Sequence, residues 1–252
     1  PEIKAMMKGL RSHYQKAPKK ARPLGFGELK SIVEGLHCAP GQALVFKSQE
    51  HQRAVELSCL RDKAFFLLGF WCGWRGDELI RLQAENAKVM VENGRRVLHL
   101  YLPYTKGDRE AEGAHWRLVE LPQQCPVNAY LDWVEAAYIK EGPVFCAVNR
   151  WGQVSEKAIH SKSIIKMMRD AMIRSGMEPQ EAESYSSHSL RRGFANFAIE
   201  QGASAQELMD WVGWKEISTA IAYLKSNQSL HQSLLSKAIM PIDQEGLEKG
   251  DA

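Results

Sequence analysis

The sequence predicts a mainly α-helical α+β domain with one small, three-stranded antiparallel sheet. Apolar residues recur at helical spacing over most of the chain, which gives the helical part. The one region where they alternate instead is interrupted by Asn93-Gly94, and Asn-Gly is the strongest short hairpin signal because both residues accept the positive φ of a tight turn. A third observation bounds the size: 252 residues, 44% hydrophobic and 25% charged, describe an ordinary globular chain with ample core.

The elements follow in chain order. Phe26, Leu29, Ile32, Val33 and Leu36 form the stripe of a first short helix, which Cys38, Pro40 and Gly41 end. Ser48 caps a longer helix through Leu57, Leu60, Ala64, Leu67 and Leu68 towards Gly73. Asp77 and Glu78 then sit in the first turn of the next helix, so Arg75 lies at a helix start. Val89 to Val91 and Val97 to Leu102 flank the Asn-Gly turn, and Trp116 to Leu121 makes the third strand, with Lys106 in the loop before it. The remainder reads as helical. Val127 to Tyr138 is one candidate, and Ile164, Ile165, Met168 and Met172 are the stripe of another that Gly176 terminates. Leu190, Phe194, Phe197 and Ala198 continue the pattern after His188 as far as Gly202, and Ser204 with Glu207 makes a capping box for the next helix. Leu230, Leu234, Leu235, Ala238 and Ile239 give an amphipathic helix within Ser226 to Met240.

The net charge is only +3, but it is unevenly spread. Residues 1–22 hold Lys4, Lys8, Arg11, Lys16, Lys19, Lys20 and Arg22 against Glu2, whereas residues 241–252 are acidic. Taken alone, such a run is as readily a solvated face as a binding surface. Five cysteines, odd in number and without a Cys-x-x-Cys pair, argue against a disulfide framework and a zinc site and suit a reducing cytoplasm. No signal peptide and no apolar run long enough to span a membrane is visible.

The stretch HSLRRGFANFAIEQGASAQELMDWVGWKEISTAIAY, from His188 to Tyr223, sets four phosphate-active side chains in order: His188, Arg191, Trp214 and Tyr223. Arg offers a flat fork of donors that matches two phosphate oxygens, His and the indole N–H can each add one directed bond, and Tyr supplies a nucleophile. Such a group suits an enzyme that holds a phosphodiester among cations and attacks it with a phenol. Singly, each residue has an ordinary reading: a surface His, a core Trp, an aromatic on a helix face, a solvated Lys. The order and spacing carry the case. His-x-x-Arg, then Val-Gly-Trp, then a Tyr nine positions after the Trp, resembles the signature of the tyrosine recombinases, the phage integrase family. Upstream, GWRGDEL at 73–79 is similar to the family's first Arg box, and YLPYTKGDRE places Lys106 where the family keeps a hairpin Lys. The chain departs from the commonest pattern in three ways: Arg75 lies one residue late, Gly76 follows it, and Trp214 stands where many members have His.

The resemblance, from about Pro23 to about Met240, implies the recombinase catalytic fold and a site-specific DNA recombinase or integrase acting in integration, excision or resolution. It gives Tyr223 as the nucleophile that leaves a 3′-phosphotyrosyl link, and Arg75 and Arg191 as the cations on the non-bridging oxygens, assisted by His188 and Trp214. His188 would accept the phenol proton, Lys106 would protonate the departing 5′-oxygen, and Glu78 would orient the cations. No metal or cofactor is implied, and the sequence lacks a phosphate-binding Gly-rich loop of the Walker type. The implied partner is double-stranded DNA, contacted also by Lys16, Lys19, Lys20, Arg22 and Arg192. A homotetramer on DNA, a monomer when free, and residence in a bacterial cytoplasm at the nucleoid complete the expectation. Residues 1–22 would be a basic linker from a preceding core-binding domain, 23–240 the catalytic domain and 241–252 an acidic tail. Alternative readings are a type IB topoisomerase-like enzyme, a noncatalytic regulator using Ser204 to Leu224 as a helix-turn-helix, which leaves Arg75 and Lys106 unexplained, and a structural descendant of a recombinase.

Overall fold

The computed structural model describes residues 21–36, 48–105, 113–214 and the single positions 217, 220 and 221. Helix α1 (Phe26–Gly35) buries Leu29, Ile32 and Val33 along one face. The central helix, α2 (Gln49–Trp71), starts at Ser48, whose hydroxyl accepts from the amide of His51, the predicted cap. From Ala64 to Phe70 it is buried all round, so it runs through the middle of the domain rather than along its surface. Each of Phe65, Phe66 and Phe70, none of them exposed, adds about 2 kcal/mol by its burial. The helix stops in a Schellman motif: Gly73 takes a φ of +63°, and the amides of Gly73 and Trp74 bond back to Phe70 O and Gly69 O. Helix α3 (Gly76–Leu79) follows as a single turn.

The predicted sheet is present. Strands β1 (Ala87–Glu92), β2 (Arg95–Leu102) and β3 (Ala114–Val119) pair antiparallel in the order β1-β2-β3. Asn93 and Gly94 turn the chain between the first two with φ of +49° and +76°. Leu98, Leu100 and Leu102 of β2, with Trp116 and Leu118 of β3, face the core, and the register places Lys88, His99 and Arg117 in one row on the other face.

Helix α4 (Pro126–Ala136) packs on α2, β2 and β3. The expectation of an all-helical remainder is corrected next: β4 (Cys146–Val148) and β5 (Val154–Ala158) form a second, two-stranded sheet. Three residues are too few to display alternation, and β5 is mostly polar. What holds the hairpin is Asn149, whose side-chain oxygen accepts from the amides of Trp151 (2.9 Å) and Gln153 (3.0 Å) at the turn. Helices α5 (Ser161–Arg174), α6 (Pro179–Ala182), α7 (Ser189–Glu200) and α8 (Ala205–Val212) complete the described chain. The Ser204–Glu207 capping box forms as predicted. The predicted helix in Ser226 to Met240 and the break at Cys38, Pro40 and Gly41 lie outside the described residues. Among the described residues no helix is long and apolar enough to cross a membrane.

One buried ion cluster ties α2 to α5. Asp62, fully buried, accepts from Arg61 Nε (2.9 Å) and Nη2 (2.7 Å) and from Arg174 Nη2. Burial pushes its carboxyl pKa up, and the two guanidiniums pull against that shift. Asp62→Ala leaves two cations without their anion and is expected to cost about 3 kcal/mol of stability. Urea denaturation checks this, and an unchanged midpoint would show the cluster to be uncoupled from folding.

Candidate functional site

The site is assembled where two helix starts meet. At the first, the αL turn at Gly73 lets the chain leave α2 and enter α3 with Arg75 as its N-cap. Glu78, 2% exposed, satisfies that cap: its Oε2 accepts the Arg75 amide and its Oε1 accepts Arg75 Nη1, each at 2.8 Å. A single buried carboxylate thus closes the helix end and aims the guanidinium.

At the second start, His188 is the N-cap of α7 and Arg191 is its third residue. His188 is exposed, whereas Arg191 is buried. Arg191 Nη1 donates to the Gly73 carbonyl at 2.9 Å and lies 3.8 Å from Glu78 Oε2. The two arginines, far apart in sequence, therefore converge on one carboxylate. Two guanidiniums against one anion leave a net positive site, to which the N-terminus of α7 adds its dipole. Trp214 arrives from a third direction. Helix α8 ends at Gly213 with φ +70°, the amides of Gly213 and Trp214 bond back to Met209 O, and the indole of Trp214 faces the Arg191 guanidinium at 5.7 Å.

Gly76, one of the departures from the family pattern, has a steric reason. A Cβ there would lie 2.8 Å from Ser187 Cβ and 3.1 Å from Ile164 Cγ2, so glycine is what lets the Arg75 turn close against the His188 turn. Gly76→Ala is expected to push the two turns apart and to destabilise the fold by about 2 kcal/mol, as overpacking a close contact does. Thermal denaturation checks it, and an unchanged midpoint would refute the close-approach account.

Sequence reasoning did not find the indole network that fixes these segments to one another. Trp116 Nε1 on β3 donates to Trp211 O on α8 (3.1 Å), Trp211 Nε1 donates to Trp71 O at the end of α2 (2.8 Å), and Trp71 Nε1 donates to Gln124 O (3.0 Å). Trp74 meets Trp116 edge to face at 4.9 Å. Strand β3, the helix before Trp214 and the turn before Arg75 are thereby held as one unit. Trp density in the sequence, seven in 252 residues, was the available signal, but the pairing is three-dimensional.

Of the residues singled out from the sequence, the structure brings Arg75, Glu78, Arg191 and Trp214 together and sets His188 at the same helix end. Lys106, Tyr223, Lys16, Lys19 and Lys20 lie outside the described residues. Arg22 pairs with Glu28 (2.5 Å) and Glu181 (2.7 Å), and Arg192 donates to Ala21 O. Among other phenols, Tyr185 is 1% exposed and donates to Glu28 Oε1 at 2.8 Å, and burial pushes its pKa well above the ordinary tyrosine value. Tyr101 stacks on His115 at 4.5 Å, and Tyr104 is half exposed beside Arg81.

Comparison with known proteins agrees with this geometry. Residues 43–229 match the Phage integrase family. The chain is 26% identical over 184 residues to the integrase/recombinase xerD homolog of Selenomonas ruminantium, covering 72% of this chain and 52% of that protein. It is 28% identical over 175 residues to tyrosine recombinase XerD of Lacticaseibacillus casei, covering 68% and 53%. The chain thus spans about half the length of these curated relatives. Its fold matches that of XerH site-specific recombinase bound to palindromic difH substrate, a post-cleavage complex, with a TM-score of 0.58 at 16% identity over 86% of this chain and 53% of that one. It also matches XerA recombinase with a TM-score of 0.52 at 17% identity, over 89% and 67%.

Proposed function

Because the chain belongs to the phage integrase family, we propose that it is a site-specific DNA recombinase that cleaves and rejoins strands through a phosphotyrosine. The observation that carries this reading is the convergence of Arg75 and Arg191 on buried Glu78, which holds two guanidiniums ready for one anion. A phosphodiester supplies that anion. Its non-bridging oxygens gain charge in the five-coordinate transition state, and cations already oriented there stabilise it without reorganising.

Tyr223 is the nucleophile. Its phenol oxygen forms the bond to phosphorus as the bond to the 5′-oxygen breaks, giving a 3′-phosphotyrosyl link and a free 5′-hydroxyl. An unperturbed Tyr titrates near pH ~10, so the phenol needs a base, and His188 at the head of α7 takes the proton. Lys106 gives a proton to the leaving 5′-oxygen. The reverse reaction with another 5′-hydroxyl joins a new strand, and the phosphotyrosine conserves the bond energy so that no nucleotide is consumed. Double-stranded DNA is the substrate, and a tetramer on DNA is the working form.

The test is covalent capture. A pool of nicked duplexes of varied sequence, incubated with the chain in EDTA, lets the fragment beyond the cleaved bond diffuse away and traps the intermediate. A protein–DNA adduct stable to denaturant supports the reading. Tight DNA binding with no adduct at any sequence would instead support a noncatalytic DNA-binding protein.

A further inference from the structure

The extended segment just before α1 makes contacts that the phosphate site does not call for. The amide of Arg22 donates to Ser184 O (2.9 Å) and that of Leu24 donates to Ser189 O (3.0 Å), so the segment brackets the turn that presents His188. Arg192 on α7 donates to Ala21 O. Leu24 is fully buried, and Gly193 is glycine because a Cβ there would stand 1.7 Å from Leu24 O. Here the requirement is close approach of two backbones, not a special φ. Side chains close the arrangement: Arg22 reaches Glu28 (2.5 Å) and Glu181 (2.7 Å), its guanidinium lies 5.4 Å from the Tyr185 ring centre, and Tyr185 donates to the same Glu28 oxygen at 2.8 Å.

Five of these contacts run from residues 21–25 to residues 184–193, the turn and first helical residues that carry His188 and Arg191. We propose that residues 21–25 form a strap that positions this turn for DNA cleavage, with Arg22, Glu28, Tyr185 and Gly193 as positioning residues. The proposal rests on the recombinase reading of the site. The strap touches the reaction only through the turn. Its release should therefore slow the chemical step while leaving DNA affinity alone.

The experiment uses the whole 252-residue chain with Tyr185→Phe, Glu28→Gln and Gly193→Ala. Amide hydrogen exchange reads the strap at Arg22 and Leu24 and the turn at 186–191, single-turnover adduct formation at saturating nicked duplex reads the chemical step, and DNA affinity is titrated separately. Exchange at Leu24 is expected to rise about tenfold or more, exchange in the turn to rise with it, and the adduct rate to fall about tenfold with affinity held within about twofold. An unchanged adduct rate in variants whose strap exchange has risen overturns the proposal. So does a rate loss that merely follows lost affinity or the unfolded fraction at the assay temperature, or a Leu24 amide that stays protected in all three variants. If Gly193→Ala does not fold, the two side-chain variants carry the test. If the parent chain forms no adduct, the recombinase reading fails by itself, and the strap is then judged by whether turn exchange follows strap exchange: joint movement supports it and an indifferent turn overturns it.

Discussion

Tyr223→Phe is expected to abolish covalent attachment to DNA, lowering adduct formation by at least about a thousandfold while DNA binding persists. The change removes one oxygen and keeps the ring, so packing is conserved and only the nucleophile is lost. Three of the other tyrosines are engaged elsewhere. Tyr185 is sealed under Arg22 with its hydroxyl given to Glu28 and its pKa raised by burial. Tyr130 is buried as well, its pKa pushed up to about 12. Tyr101 is stacked on His115. Gel separation of denatured adducts checks the prediction, and a band of parental intensity in the Phe variant would assign the chemistry to another residue.

Arg191→Ala is expected to lower the cleavage rate by about a thousandfold and to destabilise the fold by about 3 kcal/mol. Both effects have one origin. Arg191 is buried, holds the carbonyl of Gly73 just beyond α2, and shares Glu78 with Arg75, so it joins the two helix starts as well as contributing charge. Arg191→Lys separates these roles. A lysine keeps the charge and occupies much of the volume, but its ammonium cannot hold the Gly73 carbonyl and present a planar fork to phosphate together. It should recover most of the stability and little of the rate. Thermal denaturation alongside single-turnover cleavage checks the pair, and full activity in Arg191→Lys would show that charge alone is needed.

The parts of this protein that were legible in the sequence are those specified by local chemistry. Asn93-Gly94 can hardly be anything but a tight turn, Ser48 and Ser204 are strong caps, and the acidic pair Asp77-Glu78 marks a helix start with Arg75 at its head. His188 to Trp214 was readable because a helix, a capped second helix and a left-handed glycine place motif residues at fixed intervals. What escaped was settled by contacts across long sequence separations. The β4–β5 hairpin depends on Asn149 and on pairing too short to show periodicity. Glu78 was legible as a support for the cations, but that the Gly73 carbonyl receives Arg191 could not be read from either motif alone. Arg22 and Arg192 are expected among the DNA contacts, and their bonds to Glu28, Glu181 and the Ala21 carbonyl join segments too far apart in sequence to be read from it. Gly76 reads as a departure from the family pattern until Ser187 is placed beside it, and nothing in the sequence singles out Gly193, which lies against Leu24.

The central claim is that Tyr223 stores the broken DNA bond, and its most direct test is to locate the bond. Adducts formed on nicked duplex in EDTA would be trimmed with nuclease, digested with protease and sequenced by tandem mass spectrometry. The account predicts a nucleotide remnant on the tyrosine of the peptide containing Tyr223. A remnant on Tyr104 or any other residue, or an adduct that forms only when metal is supplied, would contradict it.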